Sequence, residues 1–184
     1  GPTTGCREDP GLDVYEQRIS TMDAAALGQE ASGFGRSMHD TGLVSPYHAV
    51  FMRWISRNSP DLVASALGLS STGLDGLRCY QGLVRALIDR AIHPETCQAV
   101  LGLALMLERG ILYMPSIGPG LWRQIALPLS PAAAETISAS FGTAQPPDVL
   151  LLAGVLSMLG QPLGIGQGNN PTCQSARALS MWAY

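Results

Sequence analysis

The chain has 184 residues, of which 46% are apolar and only 14% charged, with a formal net charge of -3. One sizeable core-rich domain fits that balance, and a disordered acidic tail does not. No basic cluster occurs anywhere along the chain, so it lacks the electrostatic footprint that neutralises phosphates, and nucleic acid is not an expected partner.

All eleven basic residues are arginine. Two origins account for this: the codon usage of a GC-rich bacterial genome, or avoidance of ubiquitin acceptors in a protein delivered into a eukaryotic host. The cysteines Cys6, Cys79, Cys97 and Cys173 are widely spread and show no paired spacing. Reduced thiols are expected rather than a zinc module or a disulfide framework, and no metal or cofactor is predicted. The N-terminus has no basic stretch followed by an apolar one, so no signal peptide is expected. The predicted location is a bacterial cytoplasm, or a host cell after delivery.

In chain order, the apolar rhythm predicts a first helix over Leu12 to Ala31, then an irregular segment from Ala31 to Ser45 that holds His39-Asp40. Five capping-type residues precede a proline: Ser45-Pro46, Ser59-Pro60, His93-Pro94, Ser130-Pro131 and Asn170-Pro171. Each marks a helix start, because the first side chain can accept from an orphan amide while proline lacks an N–H that would have had no partner. Helices follow over Pro46 to Arg57 and Pro60 to Leu67. One amphipathic helix is predicted across Leu74 to Ile92, with Arg78, Arg85 and Asp89 towards water.

A helix apolar on most sides is predicted from Glu95 to Tyr113, ended by Pro115 and the Gly118-Pro119-Gly120 cluster. Leu121 to Ala126, Pro131 to Ser140, Asp148 to Leu159 and Pro171 to Trp182 complete the series. The Asp148 to Leu159 stretch is too short to span a bilayer and reads as a buried central helix. No segment alternates with period two. The predicted fold is therefore all-α, a compact multi-helix bundle of about eight helices with short loops. Residues 1–163 form its helical domain, and residues 164–184 form a glycine-rich loop and a cysteine-bearing helix that could begin a catalytic domain.

If Asn170 caps the last helix, Cys173 falls in its opening turn, where unpaired amides and the helix dipole favour a thiolate. Cysteine is also a common small core residue, so geometry alone leaves both roles open. His48 shares a helix with Tyr47, Phe51 and Trp54 and reads as a packed, hydrogen-bonded residue. His93 reads as a cap, and His93 with Cys97 one turn later supplies only two metal ligands. His39 is the most accessible candidate base. The glycines Gly164, Gly166 and Gly168 do not make a nucleotide loop, since the loop follows a helix and lysine is absent.

Gln167 lies six residues before Cys173, in "QGNNPTCQSARALS", and this stretch resembles the papain-type arrangement of cysteine enzymes; the Gly-x-Cys element of transglutaminase-like proteins is a weaker relative. The resemblance implies Cys173 as nucleophile and Gln167 as oxyanion donor, with the Cys173 backbone N–H as second donor. It covers about fourteen of the 184 residues. Thr172 and Gln174 stand where that family has Ser and Trp, and papain-like enzymes carry histidine and Asn or Asp downstream of the cysteine, so the base is expected outside this chain. A permuted order with histidine first, as in ubiquitin-like-protein proteases, would draw on His39, His48 or His93, although that family places its histidine on a strand.

Two functions follow. One is the helical portion of a thiol-dependent acyl-transfer enzyme, a peptidase, deamidase or transferase acting on a protein or peptide. The other is a noncatalytic helical docking or regulatory module of a larger bacterial protein. Its partner groove would run along "YMPSIGPGLWRQIALPL", Tyr113 to Leu129, where Trp122 is either groove lining or core.

Overall fold

A computed structural model of the chain describes residues 11–161, and among them the secondary structure is helical throughout. Ten α-helices follow one another: α1 (Leu12–Ile19), α2 (Ala24–Thr41), α3 (Pro46–Asn58), α4 (Val63–Ala66), α5 (Ser71–Cys79), α6 (Gln81–Ala91), α7 (Ala99–Glu108), α8 (Ile117–Ala126), α9 (Pro131–Phe141) and α10 (Pro147–Gly160). Single 3-10 turns at Pro60–Leu62, Pro94–Thr96 and Ile111–Tyr113 link some of them. The all-α bundle with short connections is thus as the sequence predicts, with slightly more helices than eight. No described helix is long and apolar enough to cross a membrane.

The proline-marked starts behave as the chemistry requires. Ser45 accepts from the Tyr47 amide at 3.1 Å and Ser130 from the Ala133 amide at 3.3 Å, with Pro46 and Pro131 opening α3 and α9. Ser59 and His93 precede 3-10 turns instead. Each side-chain cap of this kind contributes on the order of 1 kcal/mol.

Elsewhere the element boundaries differ from the sequence reading. The first expected helix is two. Ser20 and Thr21 hydroxyls donate to the Gln17 and Arg18 carbonyls at 2.6 and 2.7 Å, closing α1, and Asp23 accepts from the Ala26 amide at 2.8 Å to open α2. From there α2 runs to Thr41 and absorbs most of the segment expected to be irregular; Gly42 ends it in the left-handed region at φ 69°. The glycines that imitate a loop there have a packing reason. A Cβ at Gly35 would press into the Ser65 carbonyl and lie 2.9 Å from the Gly68 amide, so α2 meets the end of α4 backbone to backbone.

The expected Leu74 to Ile92 helix bends at Tyr80 (φ -118°, ψ 30°), whose ring packs edge-on to Tyr113 at 5.4 Å. The expected terminator Gly118-Pro119-Gly120 lies inside the first turns of α8. Proline is tolerated there because the first four amides of a helix have no intrahelical acceptor.

The core is carried by α3, α6 and α7, with Phe51, Met52, Ile55, Val84, Leu87, Ile88, Val100, Leu103 and Met106 fully buried. Helix α10 lies along α7 in the most extensive helix contact among the described residues. Gly102 and Gly160 permit it: a Cβ on Gly102 would sit 2.5 Å from the Leu156 carbonyl oxygen, and one on Gly160 would strike the Gly102 carbonyl. Leu152 and Leu156 of α10 reach the main core through that crossing.

Candidate functional site

The thiol site expected from the sequence, Cys173 with Gln167, lies outside the described residues, as do Cys6 and the boundary at residue 164. What the helical body shows is where the three histidines and two other thiols go. None of the imidazoles is left idle.

His39 and His48 converge on the end of α4. His48 Nε2 is 2.8 Å from the Ala66 carbonyl oxygen, and His39 Nε2 is 2.9 Å from that of Leu67. As Nε2–H donors they satisfy carbonyls that a helix of one turn cannot satisfy itself. The His48 ring also stacks on Phe34 with centroids 4.8 Å apart and planes 9° from parallel. Burial is the main cause that pulls its pKa down to about 4, opposed by the Ala66 bond and aided by nearby His39. At neutral pH His48 is an uncharged structural donor.

His39 is exposed, as the sequence implies, but it is helical rather than in a loop. His93 Nε2 bonds the Arg90 carbonyl at 3.1 Å while the Thr96 hydroxyl accepts from the His93 amide at 2.9 Å, which makes the Pro94–Thr96 turn a closed cap. Burial and neighbouring Arg53 lower its pKa.

Cys97 does not turn towards His93. Its Sγ donates to the Val44 carbonyl at 3.3 Å, and burial pushes its pKa up, the condition of an inert structural thiol. Next to it, Gln98 Oε1 accepts from the Val44 amide at 3.2 Å and Nε2 donates to the Gly42 carbonyl at 2.8 Å, fixing the link between α2 and α3. Among the described residues no group of three His, Cys, Asp or Glu side chains could hold a metal ion. Cys79 is exposed beside Tyr113, whose hydroxyl pKa is raised to about 12 first of all by their hydrogen bond.

Two features of the body face solvent with unusual composition. The first is apolar. Tyr113 is 50% exposed, Met114 54%, Trp122 48% and Leu127 61%, all from the turn after α7 to the residue that caps α8. Trp122 is therefore not core, while Gly118 and Leu121 of α8 are buried. Ser116, between Met114 and α8, has φ 77°, the one non-glycine residue with positive φ among those described. That conformation costs on the order of 1 kcal/mol.

The second is polar and lies in the seam between α3 and α6. Arg53, Ser56 and Arg57 share one face of α3, and Arg85, Ile88 and Asp89 share one face of α6, by their spacing of three and four. Arg53 Nη1 donates to the carbonyls of Asp89 at 2.6 Å and Ile92 at 3.2 Å, closing the end of α6, while Arg57 pairs with Asp89 at 2.7 Å. These residues and Ala86 enclose a cavity of about 260 Å³. The sequence reading placed Arg85 and Asp89 in water and gave no part to Arg53; the signal available was the matching spacing on two consecutive amphipathic helices.

No family model matches the chain, and neither the curated proteins nor the solved structures contain a match.

Proposed function

We propose that the helical body is a docking module whose face over residues 113–127 receives an amphipathic helix from a partner protein. One observation carries this: of seven large apolar side chains exposed among the described residues, four belong to that single stretch. Scattered exposed apolar residues need no explanation, but a contiguous stretch of sequence that turns Tyr, Met, Trp and Leu outwards has the composition of an interface centre. The occupant carries carboxylates beside its apolar stripe, because exposed Arg123 follows Trp122 and makes no ion pair among the described residues.

Labelled helical peptides with a leucine stripe and either glutamate or lysine flanks test this by fluorescence anisotropy. Binding of the glutamate peptide alone is expected, weakened at least tenfold (about 1.4 kcal/mol) in W122A, with folding stability changed by no more than about 0.5 kcal/mol. Equal binding by W122A sinks the reading. So does a dimer that W122A dissolves, since the face would then be covered by a second copy.

A second reading keeps thiol chemistry at Cys173, supported by its spacing of six residues from Gln167 and by the helix-start signature Asn170-Pro171 in the sequence. All three histidines of the chain are bonded to backbone carbonyls, so the general base of this reading comes from another segment or protein. Iodoacetamide should label Cys173 well ahead of Cys6; equal rates would remove its support.

A further inference from the structure

The α3–α6 seam has features that holding two helices together does not require. Arg53 closes the end of α6 and Arg57 holds Asp89, which accounts for two of its arginines. Arg85 is exposed and makes no hydrogen bond or ion pair among the described residues, yet it lines the same cavity. Ser56 is only 5% exposed, and its hydroxyl has no partner among the described residues. No fully enclosed side-chain oxygen among those residues lacks a partner, so the Ser56 Oγ is open to solvent, and Ser56 lines the cavity. With no partner in the protein, that hydroxyl is free to donate to a ligand.

We infer that this cavity binds a phosphate-type oxyanion, as inorganic phosphate or as the phosphoryl group of a small phosphorylated molecule. The charge balance supports an anion. The cavity itself is lined by Arg53, Arg57 and Arg85 and by one carboxylate, Asp89, three positive charges against one negative, while Glu16 acts on Arg53 from the neighbouring cleft. Arg53 is only 23% exposed at its side chain, and burial followed by the neighbouring Arg57 lowers its pKa. A bound anion relieves that crowding of cations, and it does so in surroundings where charge interactions are stronger than in water.

Donor geometry favours phosphate over carboxylate. Arg57 and Ser56 approach from α3 and Arg85 from α6, and a tetrahedral oxyanion has oxygens to offer on both sides, whereas a carboxylate presents two in one plane. The volume of about 260 Å³ exceeds a bare ion and leaves room for a short organic tail. The neighbouring cleft, of about 360 Å³, shares Arg53 and Arg57 but adds Asp13, Glu16 and Glu95, so it reverses the charge balance and is not the anion's place.

Isothermal titration calorimetry on the full chain, at ionic strength held constant with chloride, tests the site with inorganic phosphate, phenyl phosphate and acetate. Saturable binding of phosphate or its phenyl ester is expected. Equal affinities would point to the free anion, and tighter binding of the ester to a phosphorylated small molecule. R85Q should weaken binding at least tenfold and S56A several-fold, with the far-ultraviolet dichroism of R85Q unchanged because Arg85 touches nothing structural. The proposal is overturned if phosphate gives no heat beyond chloride, if acetate binds as tightly, or if R85Q binds like the parent protein.

Discussion

The α7–α10 crossing and the α3–α6 seam solve the same problem, holding two helices side by side, by opposite means. At the first, glycines bring the two backbones into direct contact. At the second, Arg53 reaches across to carbonyls at the end of α6, and the long side chains leave space between the helices. Close backbone approach gives rigidity and leaves no room for a ligand. A seam of arginines tolerates a cavity, and with it a chemistry.

The sharpest way to break this contrast is to add one carbon to the dry crossing. Gly102→Ala places a methyl group 2.5 Å from the Leu156 carbonyl oxygen, which neither helix can accept without moving. We expect a loss of about 3 kcal/mol or more in urea denaturation, with α10 separating first in hydrogen exchange. An unchanged midpoint would mean that the crossing is loosely packed after all.

A comparable loss is expected from acid, at the α3–α4 contact. The folded state holds His48 at a pKa of about 4 against 6.5 for the free side chain, so the unfolded chain binds the extra proton first. The stability that neutral His48 supports is whole above about pH 6.5, declines as the pH falls, and is lost by about pH 4, for a total on the order of 3 kcal/mol. His48→Gln retains an N–H donor without a titrating group, and its stability should fall less steeply over that interval. Equal slopes would assign the acid response elsewhere.

At the polar seam the effect is smaller. Arg53→Ala uncovers the Asp89 and Ile92 carbonyls and should cost about 2 kcal/mol in the same denaturation experiment. Lysine at this position keeps the charge but lacks the planar fork, so Arg53→Lys should recover only part of the loss.

The sequence made the fold class visible because helix starts are local chemistry: a capping side chain and a proline need no information from elsewhere in the chain. Helix ends and breaks were harder. The segment around Gly33 and Gly35 has the composition of a loop, and only the backbone of α4 pressing on Gly35 explains why it is helical. The bend at Tyr80 depends on a tertiary ring contact with Tyr113, which spacing does not reveal.

The histidines show the same division. His48 beside aromatic residues was legible as a packed group, but its acceptor at Ala66, eighteen residues away, was not. The exposed Trp122 could be named as a groove candidate while its exposure stayed open, because α8 has one buried and one uncovered face and the sequence does not say which neighbour is missing. Arg85 reads as a solvated charge, and Arg53 and Arg57 draw no attention, for a related reason: helical periodicity sorts residues into faces but does not say which polar faces meet.

The grip of Gln98 on the α2–α3 link bears on how the folded protein should respond to a protease. Leu43 at the tip of that link is 71% exposed and would ordinarily invite an endopeptidase. Cleavage requires the chain to be drawn out as an extended strand in the enzyme's cleft, and Gln98 holds the backbone on both sides of Leu43, at Gly42 and at Val44. With Cys97 on the Val44 carbonyl and the Thr41 hydroxyl on the Leu43 amide, the link is held away from that extended shape, and limited proteolysis is expected to cut it slowly in the folded protein.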